Sequence, residues 1–407
     1  MPYRSANIER KLLPSSLLTE MGISYSNPSP QASLLPQDFD PASYFKIKRL
    51  NSSTHVIQEQ DSFNEYPLIY VKQIRYPHPY ILICDTGCGT AHRSDGLNGP
   101  IHNLRSFIET YPVPSNSHEP LNPHGRSPYL ILCSHCHYDH ILGLPQFVSE
   151  SSKSTAPQNA TVVASSHCPS FLSPKNLPRH SLCSYLGFAT PRYDIGVWAG
   201  DRETLAVQGK VVGHPGSHII TLHIPGHTPD SLGWFDELEK WIYIGDTFYE
   251  RHEGGGADGP GEAMPIEFDS ASGADLVAYM ETLDKLLEFV KIRNNEDGSK
   301  SEMCEDWEFV DADTPPSFPA KQRVRASCAH VTSDVDAEES ILAVQEFFRG
   351  IFEGKIPFHN EGEDESGEAM GFWEEAEGHG KRRFSVLAPL RLVEEAKKHF
   401  HICLEQA

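Results

Sequence analysis

Basic residues are scarce in this chain: 34 lysines and arginines stand against 56 aspartates and glutamates, a formal charge of −22. Such a surface repels phosphate backbones and anionic lipid headgroups, so no nucleic acid and no membrane are expected as partners, and a small-molecule substrate is. Long hydrophobic runs are missing as well. The opening MPYRSANIERKLLPSSLLTEMG has no continuous apolar stretch, and nothing in the chain approaches the roughly 18 apolar residues that suggest a membrane span. A soluble, cytoplasmic protein is the expectation. The nine cysteines are odd in number and irregularly spaced, which argues for reduced thiols rather than a disulfide framework. Cys133-x-x-Cys136 has no second pair to complete a zinc site, and Cys136 alternates with two histidines, so it reads as a packed thiol. Neither GxxxxGK[ST] nor GxGxxG at a strand-to-helix junction occurs, so the glycine-rich EGGGADGPGEA at 253–263 is not a phosphate loop. No internal repeat is present.

What the chain does have is alternation of strand-like and turn-like segments. Residues 1–40 are polar and proline-bearing and read as a loosely structured arm, with 41–407 as a single domain. YFKIKRL, THVIQEQ, PLIYVKQIRY and PYILICDTG suggest an antiparallel meander. ATVVASS, GKVVG, HIITLHIPGHT, LGWFDE and WIYIGDT suggest a second sheet. IHNLRSFIETY has a short helical pattern. Longer helices are predicted from Ala274, with Ser272 available as a cap, and from Asp336, whose partner Glu339 approximates a capping box. Two acidic stretches, near 293–315 and 358–382, read as solvated surface insertions.

The chemistry concentrates in ILCSHCHYDHILGL (131–144), where His135, His137, Asp139 and His140 follow an apolar run. On a strand, positions i and i+2 share a face, so His135 and His137 can aim two imidazoles at one point, with Asp139 and His140 past the strand end serving a second. Two metals need more ligands than these four. Further candidates follow apolar runs in order: His227 in HIPGHTPDSLGW, Asp246 in WIYIGDTFYE and His330 in RVRASCAHVTS. His167, His180, His214, His218 and His223 lie near these motifs and are read as structural; His223 is the nearest rival to His227.

This series, opened by Asp85 in ICDTGCG, resembles the metallo-β-lactamase fold superfamily. Leu142 stands where the family often has the first glycine of DHxGG. The resemblance implies an α/β fold, an αβ/βα four-layer sandwich of two mixed β-sheets with helices outside. It implies two Zn²⁺ ions, iron or manganese being alternatives, with His135, His137 and His227 on one metal, Asp139, His140 and His330 on the other, Asp246 bridging, and Asp85 as a support near the site. The implied chemistry is acyl hydrolysis by a metal-bridging hydroxide, with Asp139 and Tyr249 as catalytic candidates. Tyr249, three residues after Asp246, stands where lactone-opening members carry a carbonyl-directed tyrosine. A lactonase or lactamase opening a small cyclic ester or amide is therefore expected. The alternatives are a thioesterase of the hydroxyacylglutathione hydrolase type, for which GKRRF (380–384) is the compact basic candidate, and an iron-dependent sulfur dioxygenase, which typically leaves Asp139 and His140 unused.

Overall fold

The computed structural model describes residues 43–75, 78–89, 103–148, 160–213, 218–250, 264–296, 323–364, 366–375 and 384–405. Seven strands form the first sheet in chain order: β1 (Phe45–Arg49), β2 (Thr54–Glu59), β3 (Leu68–Ile74), β4 (Tyr80–Cys84), β5 (Tyr129–Leu132), β6 (Ala160–Ser165) and β7 (Ile195–Ala199). The meander β1 to β4 is antiparallel, as the alternating sequence led one to expect, and β4 to β7 are parallel. Parallel pairing needs crossovers. One of them carries helix α1 (Leu104–Thr110), capped by Asn103, and the next begins with the single helical turn α2 (Tyr138–Ile141).

A short helix α3 (Leu177–His180) and the strands β8 (Glu203–Thr204), β9 (Ala206–Val207) and β10 (Lys210–Val211) lead to the second sheet. This sheet has six strands in the order β16-β15-β13-β12-β11-β8, with β11 (Ile219–His223), β12 (Leu232–Asp236), β13 (Trp241–Tyr243), β15 (Arg325–Ser327) and β16 (Val335–Asp336). Only β13 and β15 run parallel. Helices α4 (Leu276–Asn295) and α5 (Ala337–Phe352) flank it. A third sheet, β14-β19-β18-β17, joins β14 (Ile266–Glu267), β17 (Phe358–Glu363), β18 (Ala369–Glu374) and β19 (Ser385–Pro389), and β19 runs into helix α6 (Leu390–Glu405).

Alternation along the strands assigns the layers. From β5, Leu130 and Leu132 pack with Trp234 and Tyr243 of the second sheet, whereas Tyr129 and Ile131 pack with Leu104, Phe107 and Ile108 of α1. Phe235 and Ile242 face away from the first sheet towards Leu283, Phe289 and Phe348 of the flanking helices. Helix, sheet, sheet, helix is thus the order of layers, the αβ/βα arrangement. The inter-sheet layer also holds a buried ion pair, Lys72 Nζ to Asp236 Oδ2 at 2.6 Å.

Several expectations change. The cap of α4 is Asp275, whose carboxylate accepts from the backbone N–H of Val277 and Ala278, while the Ser272 hydroxyl donates to the Asp269 carbonyl instead. Within the 358–382 stretch the described residues are not an irregular loop: β17 and β18 form a hairpin on β19, with β17 at the sheet edge. Most of the 293–315 insertion, the 1–40 arm, the 253–263 loop and most of GKRRF lie outside the described residues.

Candidate metal centre

Every candidate residue sits just past a strand end on one rim of the sandwich. β4 and β5 are level there, Cys84 pairing with Leu132, so Asp85 emerges beside the loop 133–137. That loop is the first surprise. β5 stops at Leu132, and His135 and His137 are not on a strand face; His137 is the extended N-cap residue before α2, with Asp139 and His140 on its single turn. What holds the loop is Asp85, a left-handed residue (φ 63°) whose Oδ1 accepts from the Ser134 N–H at 2.7 Å. His227 follows β11 in a loop clamped to α4: Asp275 N–H donates to the Gly226 carbonyl and Thr282 Oγ1 to the Pro225 carbonyl. Gly226 has φ 137°, and a Cβ there would lie 2.4 Å from Tyr279 Cα, so only glycine lets the loop approach the helix.

The seven candidates fall into two buried groups, His135, His137 and His227, and Asp139, His140, Asp246 and His330, each of which could hold a metal ion. In the first group, His137 Nδ1 lies 3.0 Å from His135 Nε2 and 3.1 Å from His227 Nε2. In the second, Asp139 Oδ2 lies 3.0 Å from His330 Nε2 and 3.2 Å from His140 Nε2. Asp246 Oδ2 joins the groups, 3.3 Å from His140 Nε2 and 3.7 Å from the Nε2 atoms of His135, His227 and His330.

The donor set fits a metal. His140 Nε2 is close to two carboxylates yet has no hydrogen bond of acceptable direction, and Asp246 Oδ1 and His137 Nε2 are buried without a partner. Such orphaned atoms are costly in a finished core. Outer hydrogen bonds fix four of the imidazoles: His227 Nδ1 donates to the Glu267 carbonyl (2.8 Å) and His330 Nδ1 to the Glu65 carbonyl (2.9 Å), His140 Nδ1 meets Asp85 Oδ2 (3.0 Å), and His135 Nδ1 meets Ser134 Oγ (3.1 Å). For His227 and His330, Nδ1–H donation directs the Nε2 lone pair inward, the tautomer a metal ligand needs.

Electrostatics divides the groups. Burial, then the His227 beside it, hold His137 down to about 3, and burial keeps His135 well below its usual value. In the second group burial pulls His330 down, but the Asp246 and Asp139 carboxylates outweigh it and push it up to about 9. Burial opposes the ionised forms of Asp139 and Asp246, and the facing imidazoles of His140 and His330 prevail, holding both well below the usual carboxylate range. The first pole thus offers neutral imidazoles, whereas in the second the ionised Asp139 and Asp246 favour protonated His140 and His330, which must release their protons when an ion binds. Tyr249 is buried beside them, its ring centroid 5.4 Å from that of His330; burial and the neighbouring Asp246 raise its phenol well above the ordinary value.

The remaining histidines stand apart. His223 ends β11 but stacks on His167, ring centroids 3.8 Å apart, and His180 stacks on Phe171. His218 pairs with Glu237. His214 lies outside the described residues. Cys136 is buried among Ala164, Leu172 and Leu177. Sequence reasoning missed Ser134 and the carbonyls of Glu65 and Glu267; a backbone oxygen has no side-chain signature, and Ser134 is legible only as the residue before His135.

Residues 119–294 match the family model described as the metallo-beta-lactamase superfamily. Over that segment, less than half of the chain, the sequence is similar to the metallo-β-lactamase superfamily. Its members are in general hydrolytic metalloenzymes. A curated relative from Aspergillus versicolor, bearing the name "Putative transcription factor avaE", is 29% identical over 315 residues, 77% of this chain and 78% of that protein. Among solved structures, a beta-lactamase domain protein from Burkholderia ambifaria is 14% identical, with 78% of this chain and 80% of that one covered and a TM-score of 0.45. The archaeal superfamily protein ST1585 from Sulfolobus tokodaii is 15% identical, with 73% and 86% covered and a TM-score of 0.42. Among the described residues no helix is long and apolar enough to cross a membrane.

Proposed function

We propose that the protein is a binuclear metallo-hydrolase that opens a small cyclic ester or amide. One observation carries this reading: a single carboxylate oxygen, Asp246 Oδ2, lies within 3.3–3.7 Å of imidazole nitrogens from both groups. A shared carboxylate offsets the repulsion of two adjacent dications, and lone pairs converging at two neighbouring points suit such a pair. His135, His137 and His227 would hold one ion, Asp139, His140 and His330 the other, with Asp246 between them; zinc suits this nitrogen and oxygen donor set.

When bound, the ions supply Lewis acidity towards an acyl oxygen and acidify water at neutral pH. The chain's own groups supply the rest. Tyr249 keeps its proton at neutral pH, because burial and Asp246 raise its pKa, and it is available to donate a hydrogen bond to a developing oxyanion. Asp85, Ser134 and the carbonyls of Glu65 and Glu267 orient imidazoles and touch no substrate.

The position of Asp139 Oδ2 and His140 Nε2 in the cluster weighs against a mononuclear iron dioxygenase, which would leave them unused. The thioesterase reading keeps the full donor set and is second. The name of the Aspergillus relative speaks of transcription, but a formal charge of −22 opposes a DNA backbone. The seven described cysteines are all unpaired, in keeping with the reducing cytoplasm. The test is elemental analysis of the purified protein together with a lactone, lactam and thioester panel. Two zincs per chain and lactone or lactam turnover are expected; one iron with no acyl turnover would overturn the reading.

A further inference from the structure

Residues 245–250 carry Asp246 and Tyr249, and the loop 328–332 after β15 carries His330. Hydrogen bonds join the two segments at both ends. The Ala329 N–H donates to the Gly245 carbonyl at 2.9 Å, next to Asp246. At the other end the Thr332 hydroxyl makes a two-way contact with residue 250: its oxygen accepts the Glu250 N–H at 2.6 Å, and its hydrogen is directed to the Glu250 carbonyl at 3.3 Å. Glu250 is held a second time, because Ser340 Oγ of α5 donates to its carboxylate. Thr332, Glu250 and Ser340 are all buried. Thr332 reaches this position through an unfavourable turn. Val331 has φ 53°, a left-handed conformation that a β-branched residue rarely adopts, and the Thr332 N–H donates to the His330 carbonyl across it. Such a conformation persists only where the surroundings hold it. Here the Thr332 carbonyl accepts the Cys328 N–H at 2.7 Å, and the Ala329 carbonyl accepts the Leu68 N–H at 2.7 Å.

We propose that Thr332, backed by Ser340, is the positioning residue for Tyr249: by mooring the backbone of Glu250 it aims the phenol of the preceding residue. The proposal rests on the hydrolase reading, in which Tyr249 donates to a developing oxyanion, and adds the groups that direct that donor. The Tyr249 ring, its centroid 5.4 Å from that of His330, is bracketed by one connection, with His330 two residues before Thr332 and Glu250 one residue after Tyr249. Fixing the peptide of residue 250 fixes the direction in which the side chain of 249 leaves the backbone. The phenolic oxygen stands at the far end of the ring, so a small rotation of that peptide becomes a large displacement of the hydroxyl. A hydrogen bond weakens steeply when misdirected, and the oxyanion it serves exists only in the transition state. Thr332 therefore acts on kcat through Tyr249 and is not itself a catalytic residue.

The experiment sets Thr332→Val, which keeps the side-chain shape and loses the hydroxyl, against Thr332→Ser, which keeps the hydroxyl. With 4-nitrophenyl butyrate and γ-butyrolactone as probes of the zinc-loaded protein, Thr332→Val is expected to lower kcat about tenfold at unchanged KM and metal content, and Thr332→Ser to restore most of it. In a Tyr249→Phe background Thr332→Val should lower kcat by no more than about twofold, since the donor it aims is already gone. An equal loss in both backgrounds would make the hydroxyl merely structural and overturn the proposal. A second readout needs neither metal nor turnover. In the metal-free protein labelled with 3-fluorotyrosine, the fluorine resonance of Tyr249, identified by its loss in Tyr249→Phe, should move in Thr332→Val and return in Thr332→Ser. A resonance that stays in place would also overturn the proposal. If Thr332→Val does not fold, Ser340→Ala, which removes the donor to the Glu250 carboxylate, replaces it in both measurements with the same outcomes for and against. If neither probe is turned over, the hydrolase reading fails, and the fluorine resonance then tests the mooring of Tyr249 separately, its movement supporting the proposal and its constancy overturning it.

Discussion

Asp85 Oδ2 lies 3.0 Å from His140 Nδ1, while Asp85 Oδ1 accepts the Ser134 N–H at 2.7 Å. One side chain thus aims an imidazole and fixes the loop that carries His135. Asparagine tolerates the left-handed backbone here and retains an acceptor, so Asp85→Asn isolates the charge-assisted contact. Zinc affinity, measured by chelator competition, is expected to fall roughly 10–100-fold, with an unchanged melting curve for the metal-free protein. Unaltered affinity would remove Asp85 from the support of the centre.

Asp246→Ala is expected to abolish turnover and to lose the metal of the His140 and His330 group preferentially, because that group then keeps a single carboxylate. Elemental analysis after gel filtration reads the loss. Two retained ions with normal turnover would take Asp246 out of the bridging position.

For Tyr249→Phe the loss should fall on kcat, by about tenfold to thirtyfold, with metal content unchanged. The ring stays packed in the core beside His330 and only the hydroxyl goes. An unaltered kcat would reduce Tyr249 to packing.

His55 provides a pH test away from the centre. It is buried on β2 with both ring nitrogens unpartnered, and burial, then the Arg49 charge, hold it down to about 4. Its folded pKa is below the unfolded value near 6.5, so the unfolded chain binds more protons and stability falls as pH drops from about 6.5 towards 4. Urea unfolding of the unmodified protein should lose about 2 kcal/mol more between pH 7 and pH 5 than His55→Leu does. Parallel losses would show that His55 does not titrate with folding.

Cys136→Ser should leave metal stoichiometry intact and lower stability by about 1–3 kcal/mol, since a hydroxyl enters the apolar packing of Ala164, Leu172 and Leu177. Loss of an ion would assign the thiol to the centre.

The ordered series from Asp85 to His330 was legible because each member follows an apolar run, and apolar runs are what sequence shows best. The path of the chain between them was not. His135 and His137 converge from a loop held by the buried Asp85 carboxylate rather than from a strand, and that contact joins residues 49 positions apart in sequence. The β17–β18 hairpin was hidden because an exposed edge strand needs no apolar face, so NEGEDE reads as a solvated loop. Asp275 and Ser272 are both good caps by residue type; which one caps α4 is settled by where the loop from Gly226 meets the helix.

The pair Lys72 and Asp236, at the end of β12 away from the His227 loop, sets the phase between the sheets. Apolar layers slide over one another at little cost, since one leucine contact resembles the next. A displacement of one residue, about 3.3 Å, would strand an ammonium and a carboxylate in the dry interior, so only one alignment is tolerated. The two sheets bring separate halves of the donor set, His135 to His140 from one and His227, Asp246 and His330 from the other. A charge pair remote from the chemistry therefore acts as the vernier that brings those halves into coincidence.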